Sequence, residues 1–533
     1  MRLSAFGFLE AYERQSARAA RLREAARTRL PAAVRGNKLF ALLLAAGAFL
    51  RLLAMAGYPG VIWFPGDSYL YLGAAMRPVP DLSKTVGYSF FLRALLPLHS
   101  LILLGLLQHL MGLAVAVLLY VLARRAGVPQ RWAALATAPV LLDGTEIELE
   151  HMVMAETLFT FLLMAAVALL LWRARPSWQA CLIAGLLAGY AITVRSEGLP
   201  LPLVLAAFLV VRRAGWKPVT AVLSAAALPV AGYVLWFHGH TGTYGMTRSE
   251  GFYLWGRVST FAECSQIGPP PSERGLCLPQ PPSQRLPPGQ LIWLVPQVHQ
   301  DLTGSPVGKA NDKRLRDFAI RAVIAQPLGY LHAITDGLVL AVDWRRISYP
   351  SEYTTSHYYF HLSPQVLPDN RAWIHGGTPA ADAAAYGRAP YSRVFLPAAL
   401  PIAAWERLFW TYGPVFGLIM LAGLAGVARD RRRRGGAGLL PWATAAVLLV
   451  FPIAVADFDY RYLLPVLPFA CLAAGMTFAG PLPVLIKRSP SVVDTAALPE
   501  AGRQPETPSS TDAEPLLAGR DHDRAAASRS DPG

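Results

Sequence analysis

Charge is scarce in this chain. Only 16% of its 533 residues are Asp, Glu, Lys or Arg, where a soluble domain of average make-up carries about 25%. A water-soluble globule is therefore a poor fit. Cysteine is also scarce. The four cysteines form no C-x-x-C pair and no Cys/His spacing, so neither a zinc ribbon nor a thioredoxin-type redox centre is expected. The alternating pattern of a membrane β-barrel is missing, and no internal repeat is visible. Met1 to Asn37 is basic and polar, with no short apolar core before a small-residue cleavage site, so no cleavable signal peptide is expected. Acidic residues are outnumbered by basic ones, 34 to 49, which leaves a net charge of +15. The arginines cluster between apolar runs, as they do in cytoplasmic loops. The basic balance thus points to membrane topology and not to a nucleic-acid partner.

Apolar residues are abundant, at 54%, and they come in runs near the roughly 20 residues a helix needs to cross a bilayer. The fold class that follows is an all-α polytopic membrane protein. The runs are Leu39–Gly57, Ser100–Ala123, Trp132–Leu142, Val153–Trp172, Gln179–Val194, Leu199–Val211, Val219–Phe237, Leu408–Val427, Leu439–Ala456 and Leu463–Gly480. Counting them as about ten spans puts Arg124-Arg125, Arg173, Arg212-Arg213, Arg431 to Arg434 and Lys487-Arg488 on one side, and both chain ends inside. Five segments result: a basic cytoplasmic segment at 1–37, spans one to seven at 38–237, a large outer region at 238–404, the last spans at 405–486, and a Ser/Pro/Ala-rich tail at 487–533 expected to be disordered. Within the first outer loop, Ser68–Met76 and Tyr88–Leu96 read as short helices lying in the interface. Lys313–Asp343 has helical periodicity and reads as one or two helices against the membrane domain.

The stretch Trp63-Phe-Pro-Gly-Asp67-Ser-Tyr69 follows the first span. An ionisable group at a membrane boundary is costly to bury and is often retained for chemistry, so Asp67 is a candidate general base. The plainer alternative is a helix cap, since Asp suits that position. Three more clusters fall on the same side: the acidic run Glu146, Glu148, Glu150 and His151 with Glu156 beyond it; Arg195 with Glu197; and Asp457, Asp459 and Arg461. The acidic run reads as a solvated loop, and Glu156 as less exposed. A carboxylate can take a proton from an acceptor hydroxyl, and an arginine can grip a phosphate with two parallel hydrogen bonds. Asp457-Phe-Asp459 is also a bare D-x-D triplet, for which a divalent metal is the lesser alternative; no cofactor is obligatory. Cys264 and Cys277 lie in the outer region, where disulfides persist, and are expected to pair.

Four sequence stretches together resemble the GT-C superfamily of membrane glycosyltransferases that use polyprenyl-phosphate sugars, a group that includes protein O-mannosyltransferases and lipid A aminoarabinose transferases. They are Gly66-Asp67-Ser68-Tyr69, Tyr88-Ser-Phe-Phe-Leu92, Met154-Ala-Glu156-Thr-Leu-Phe159 and Arg461-Tyr-Leu-Leu-Pro465-Val-Leu-Pro468. The resemblance implies an inverting glycosyltransferase at the outer face of a bacterial inner membrane. Its donor is a polyprenyl-phosphate sugar and its acceptor an envelope glycan, lipid or protein. It casts Asp67 as the base and Arg461, with Arg195, as the binders of the donor phosphate. Glu156, Glu197, Asp459 and Tyr69 would support the site or the acceptor. The competing reading is a polytopic transporter or lipid flippase, which would call for an inverted repeat and a matching inner-face cluster.

Overall fold

The apolar runs fold as helices because a backbone in lipid must satisfy its own hydrogen bonds. The structure, a computed structural model, describes residues 37–294, 307–369, 376–389, 391–430 and 436–479. The expectations for the basic N-terminal segment, the Arg431 to Arg434 run and the C-terminal tail lie outside the described residues. In chain order the helices used here are α1 (Lys38–Gly57), α2 (Asp67–Met76), α3 (Gly87–Leu95), α4 (Leu101–Arg125), α5 (Gln130–Leu135), α6 (Ala138–Leu142), α7 (Gly144–His151), α8 (Glu156–Leu171), α9 (Trp178–Val194), α10 (Leu201–Val211), α11 (Trp216–Thr241), α12 (Glu250–Val258), α13 (Lys309–Ala325), α14 (Pro327–Val342), α15 (Leu396–Leu408), α16 (Gly413–Arg429), α17 (Leu439–Val455) and α18 (Leu463–Met476). The described residues form no β-sheet, only isolated bridges such as Ile62 with Met152.

Helices α1, α4 and α11 are long and apolar enough to cross a membrane. The pairs α13–α14 and α15–α16 meet the same measure when each is taken as one bent segment, at 101° and 62°. Helices α8, α9, α10, α17 and α18 are apolar but shorter. The outward faces carry bare apolar side chains such as Leu42, Phe49 and Leu52, as a bilayer-facing surface does. Side chains at the starts of α1, α4 and α9 satisfy orphan N–H groups: Asn37, Ser100 and Ser177 each accept from the first turn.

Helix α18 packs on α4, α8, α16 and α17, and α9 lies along α8 and α11. The α9–α11 seam is close because Gly185 and Gly189 face it. A Cβ at either would lie 2.4 or 2.3 Å from the carbonyl oxygens of Val222 and Ala226. The stretch between α11 and α15 builds its own small core from α12 and α13, with Phe252, Trp255, Leu315 and Phe318 buried together. A disulfide joins Cys264 to Cys277 beside it, their Cα atoms 6.0 Å apart.

Two local expectations meet a different structure. Trp132–Leu142 is not one continuous helix; it folds as α5 and α6, broken at Ala136-Thr137, where Thr137 Oγ1 donates to Ala134 O at 2.7 Å. The acidic run is no solvated loop either. Asp143 accepts from the N–H groups of Thr145 and Glu146 and starts helix α7. Every residue of α7 is buried. The carboxylate that local reading could not place is Glu150. Arg51 of α1 grips it with Nε at 2.8 Å and Nη2 at 2.6 Å. His109 of α4 adds Nδ1 at 2.8 Å and contacts His151 in turn at 2.9 Å. A buried carboxylate persists when it is paired and hydrogen-bonded in this way.

Candidate active site

Backbone pairing fixes the loop that carries Asp67. Ile62 N–H donates to His151 O at 3.0 Å, and Val153 N–H to Ile62 O at 3.2 Å. Ser68 Oγ donates to Val153 O at 3.0 Å and accepts from Phe64 N–H at 2.8 Å. The loop is thereby laid against the entry to α8, where Glu156 stands. Gly66 then turns the chain at φ 90°, a conformation that favours glycine. Gly66 holds the N-cap position of α2 and Asp67 is the first residue of its first turn.

The Asp67 carboxylate accepts from Lys84 at Oδ1 and from Arg461 at Oδ2. The second bond joins residues 394 apart in the chain. Lys84 is set by a turn in which Asp81 Oδ1 accepts from Ser83 and Lys84 N–H. Arg461 is set by a 3₁₀ turn, Tyr460–Tyr462, whose start is capped by Asp459. Asp459 Oδ2 lies 3.2 Å from Arg461 Nε and accepts from Tyr358 OH at 2.9 Å. Arg195 follows α9, pairs with Glu156, and donates to Glu197 at 2.8 Å. Glu156 lies 3.9 Å from Arg461 as well. The sequence candidates Asp67, Glu156, Arg195, Glu197, Asp459 and Arg461 thus form one connected cluster, in which Asp67, Glu156, Arg195 and Asp459 are buried and Glu197, Arg461 and the adjoining Lys84 are half-buried.

Burial alone would discourage ionisation of Asp67. The Lys84 ammonium and Arg461 guanidinium override it and hold the carboxyl well below the usual range. For Asp459 burial wins, and its carboxyl is pushed up despite Arg461. Burial also opposes ionisation of Glu197, but Arg195 prevails and lowers it.

One helical turn beyond Asp67, Tyr71 lies within electrostatic reach of Asp67, Arg195, Glu156 and Arg461, as the i, i+4 spacing requires. Tyr69 neighbours Tyr353. The stretch between α11 and α15 adds Tyr358 on Asp459 and places Tyr253 near Asp67 and Arg461. Lys84, Tyr71, Tyr253 and Tyr358 are the members sequence reasoning missed. The D-x-D pair diverges: Asp457 turns to Tyr349 OH at 2.6 Å and Gly289 N–H at 2.8 Å. Among the described residues no three His, Cys, Asp or Glu side chains gather as a metal site would require.

No family model and no curated protein matches the chain. Solved structures do. The yeast (S. cerevisiae) protein O-mannosyltransferase Pmt1–Pmt2 complex, bound to the sugar donor, is 15% identical with a TM-score of 0.31 over 45% of this chain and 36% of that one. The oligosaccharyltransferase AglB of Archaeoglobus fulgidus, bound to an inhibitory peptide and a dolichol-phosphate, is 11% identical with a TM-score of 0.37 over 82% of this chain and 50% of that one. ArnT from Cupriavidus metallidurans, bound to undecaprenyl phosphate, is 13% identical with a TM-score of 0.33 over 82% of this chain and 77% of that one. The chain spans half or less of the length of the first two, and likeness at this level assigns no role to any residue here.

Proposed function

We propose that the chain is an inverting glycosyltransferase that moves a sugar from a polyprenyl-phosphate carrier to an envelope acceptor at the outer face of the membrane. One observation carries this reading. The acid of the first loop and the guanidinium at the start of the last helix form a direct ion pair, with Arg195 one carboxylate away at Glu156. A non-catalytic scaffold gives no reason for three such groups to converge from positions 67, 195 and 461. The flippase reading asks for an inverted repeat and a mirrored inner cluster, and the sequence has no such repeat.

In the proposed reaction the acceptor hydroxyl oxygen attacks the anomeric carbon. The bond from that carbon to the phosphate oxygen breaks and its electron pair leaves with the lipid phosphate. The hydroxyl proton passes to Asp67. Arg461 and Arg195, joined by Lys84, hold the charge that gathers on the phosphate, a preorganised electrostatic contribution. The same cations restrain Asp67, since a strongly paired carboxylate is a weak base. A donor phosphate that draws Lys84 and Arg461 onto itself leaves burial unopposed and makes Asp67 a better proton acceptor. With arginines to manage the leaving group, a metal is not obligatory. The wider reading places about ten spans in an inner membrane with both ends cytoplasmic, and gives the disulfide-closed outer region the task of shaping the acceptor pocket.

The experiment is turnover of a defined polyprenyl-phosphate sugar by the purified full chain. Asp67→Asn should lower kcat by about 10²- to 10⁴-fold, the usual worth of a positioned base, with the folded protein still recovered. Wild-type turnover in that variant removes Asp67 from the role.

A further inference from the structure

The two guanidiniums assigned to the donor phosphate share one aromatic ring. The ring of Tyr462 lies 5.4 Å from the guanidinium centre of Arg195 and 5.4 Å from that of Arg461, both within reach of a cation–π contact. Arg461 is its neighbour in the chain. Arg195 is not: it follows α9, whereas Tyr462 ends the turn that opens α18. A second ring, Phe64 of the Asp67 loop, stands 5.3 Å from the Arg461 centre. Phe64 stacks on Tyr358 at 5.4 Å, and the Tyr358 hydroxyl donates to Asp459. Tyr462 itself is half-buried, and it is not among the side chains that pack on the apolar core, as Leu463 beside it is. The ring is therefore set by the two cations and not by core packing.

Two guanidiniums held this close repel each other. Carboxylates offset that repulsion. Glu156 pairs with Arg195 and lies 3.9 Å from Arg461, Glu197 accepts from Arg195 Nη2, and Asp67 accepts from Arg461 Nη1. Each such bond occupies an N–H group, and each carboxylate adds a negative charge that opposes an arriving phosphate. The ring does neither. Its electron-rich face attracts both cations, carries no net charge and takes no donor. The bond to Asp67 through Nη1 is the one hydrogen bond that the Arg461 side chain makes among the described residues. Its Nη2 is left for an oxyanion.

We infer that Tyr462 is a positioning residue of the donor site: its ring holds Arg195 and Arg461 at one spacing, so that both address a single phosphate while their N–H edges stay open. The inference rests on the transfer reading for the identity of that phosphate. It gives Tyr462 no contact with the reacting atoms.

The test is binding of undecaprenyl phosphate to the purified full chain in neutral detergent, measured by native mass spectrometry. Tyr462 is replaced by Phe and then by phenylalanines that carry one, two and three ring fluorines. Fluorine leaves the shape of the ring nearly unchanged and drains its face of negative charge, so these variants fold as the Phe variant does. Tyr462→Phe should stay within about threefold of the wild-type Kd, and the trifluoro ring should bind about tenfold more weakly than Phe, with the others ranked between by fluorine count. Tyr462→Leu should weaken binding at least as much as the trifluoro ring. With Arg195→Gln in place the fluorine series should span less, because one of its two cations is gone. A flat fluorine series beside a weakened Tyr462→Leu means that the ring only fills space, and it overturns the inference. So does a series that keeps its full span without Arg195, or a wild-type chain that binds no undecaprenyl phosphate. The binding measurement needs no turnover, so an Asp67→Asn variant that still transfers sugar counts against the transfer reading alone.

Discussion

Asp457 and Asp459 sit two positions apart yet face different surroundings. Asp459 joins the cluster through Arg461, whereas Asp457 binds Tyr349 OH and the N–H of Gly289, both between α11 and α15. Burial pushes the Asp457 carboxyl up to about 6, against the lowering effect of those bonds. An unfolded Asp titrates near 3.9. Between about pH 4 and pH 6 the unfolded chain therefore releases this proton before the folded one does. Stability falls as pH rises through that window and is flat above it, a loss on the order of 2–3 kcal/mol from this group. Thermal unfolding of the purified protein across the window should show the slope, and Asp457→Asn should flatten it whatever the variant's absolute stability. An unchanged slope in the variant means that the group is not buried as described. The metal alternative for the D-x-D triplet has a related weakness. A triplet in sequence fixes spacing, whereas the partners of each carboxylate come from positions 289, 349, 358 and 461, which no local reading brings together.

Whole elements were legible wherever apolar runs decide the structure. The helices α1, α4, α8, α9, α17 and α18 fall close to the runs that announce them, because hydropathy integrates many residues and tolerates error in any one. The acidic run shows the opposite case. Its charges read as solvated, but Asp143-Gly-Thr-Glu146 is also a helix-start signature, and that signal proved the better guide. Burial then depended on Arg51 and His109, which lie far away in sequence; an arginine inside the first apolar run was the visible hint. The α9–α11 seam yields a prediction at this scale. Gly189→Ala sets a Cβ 2.3 Å from Ala226 O, so the helices must part. The expected cost is about 1–3 kcal/mol, together with reduced transfer, because Arg195 follows directly on α9. Gly232 of α11 is the control: a Cβ there meets nothing within 4 Å, and Gly232→Ala should be neutral or slightly stabilising. Equal thermal stability of Gly189→Ala and wild type would remove the seam from the account.

For the whole molecule, residues 238–404 pack against the segments that carry Asp67, Lys84 and Asp459. The sequence separates residues 238–404 as a polar stretch between spans, and it carries no motif that ties them to Asp67. The folded chain ties them at several points. Gln365 accepts from Trp63 N–H at 2.9 Å and donates to Trp63 O at 3.0 Å, 302 residues away. Asp382 pairs with Arg77 just past α2, Ser249 donates to Ser83 O beside Lys84 at 2.8 Å, and Tyr358 donates to Asp459. Such contacts depend on the side chain that happens to face a given backbone atom after folding, which periodicity and composition do not encode. They also make a prediction about motion. Gln365 holds both backbone groups of Trp63, so Gln365→Ala leaves that N–H and C=O unpaired, at a cost of about 1–3 kcal/mol for each buried group. The loosening should reach both partners. Hydrogen exchange should rise together in segments 61–68 and 357–366, while α4 and α18 stay protected. Because Asp67 stands four residues from Trp63, transfer should fall through kcat more than through KM. Faster exchange in segment 357–366 alone, with 61–68 unchanged, would mean that residues 357–366 rest against the Trp63 loop without positioning Asp67.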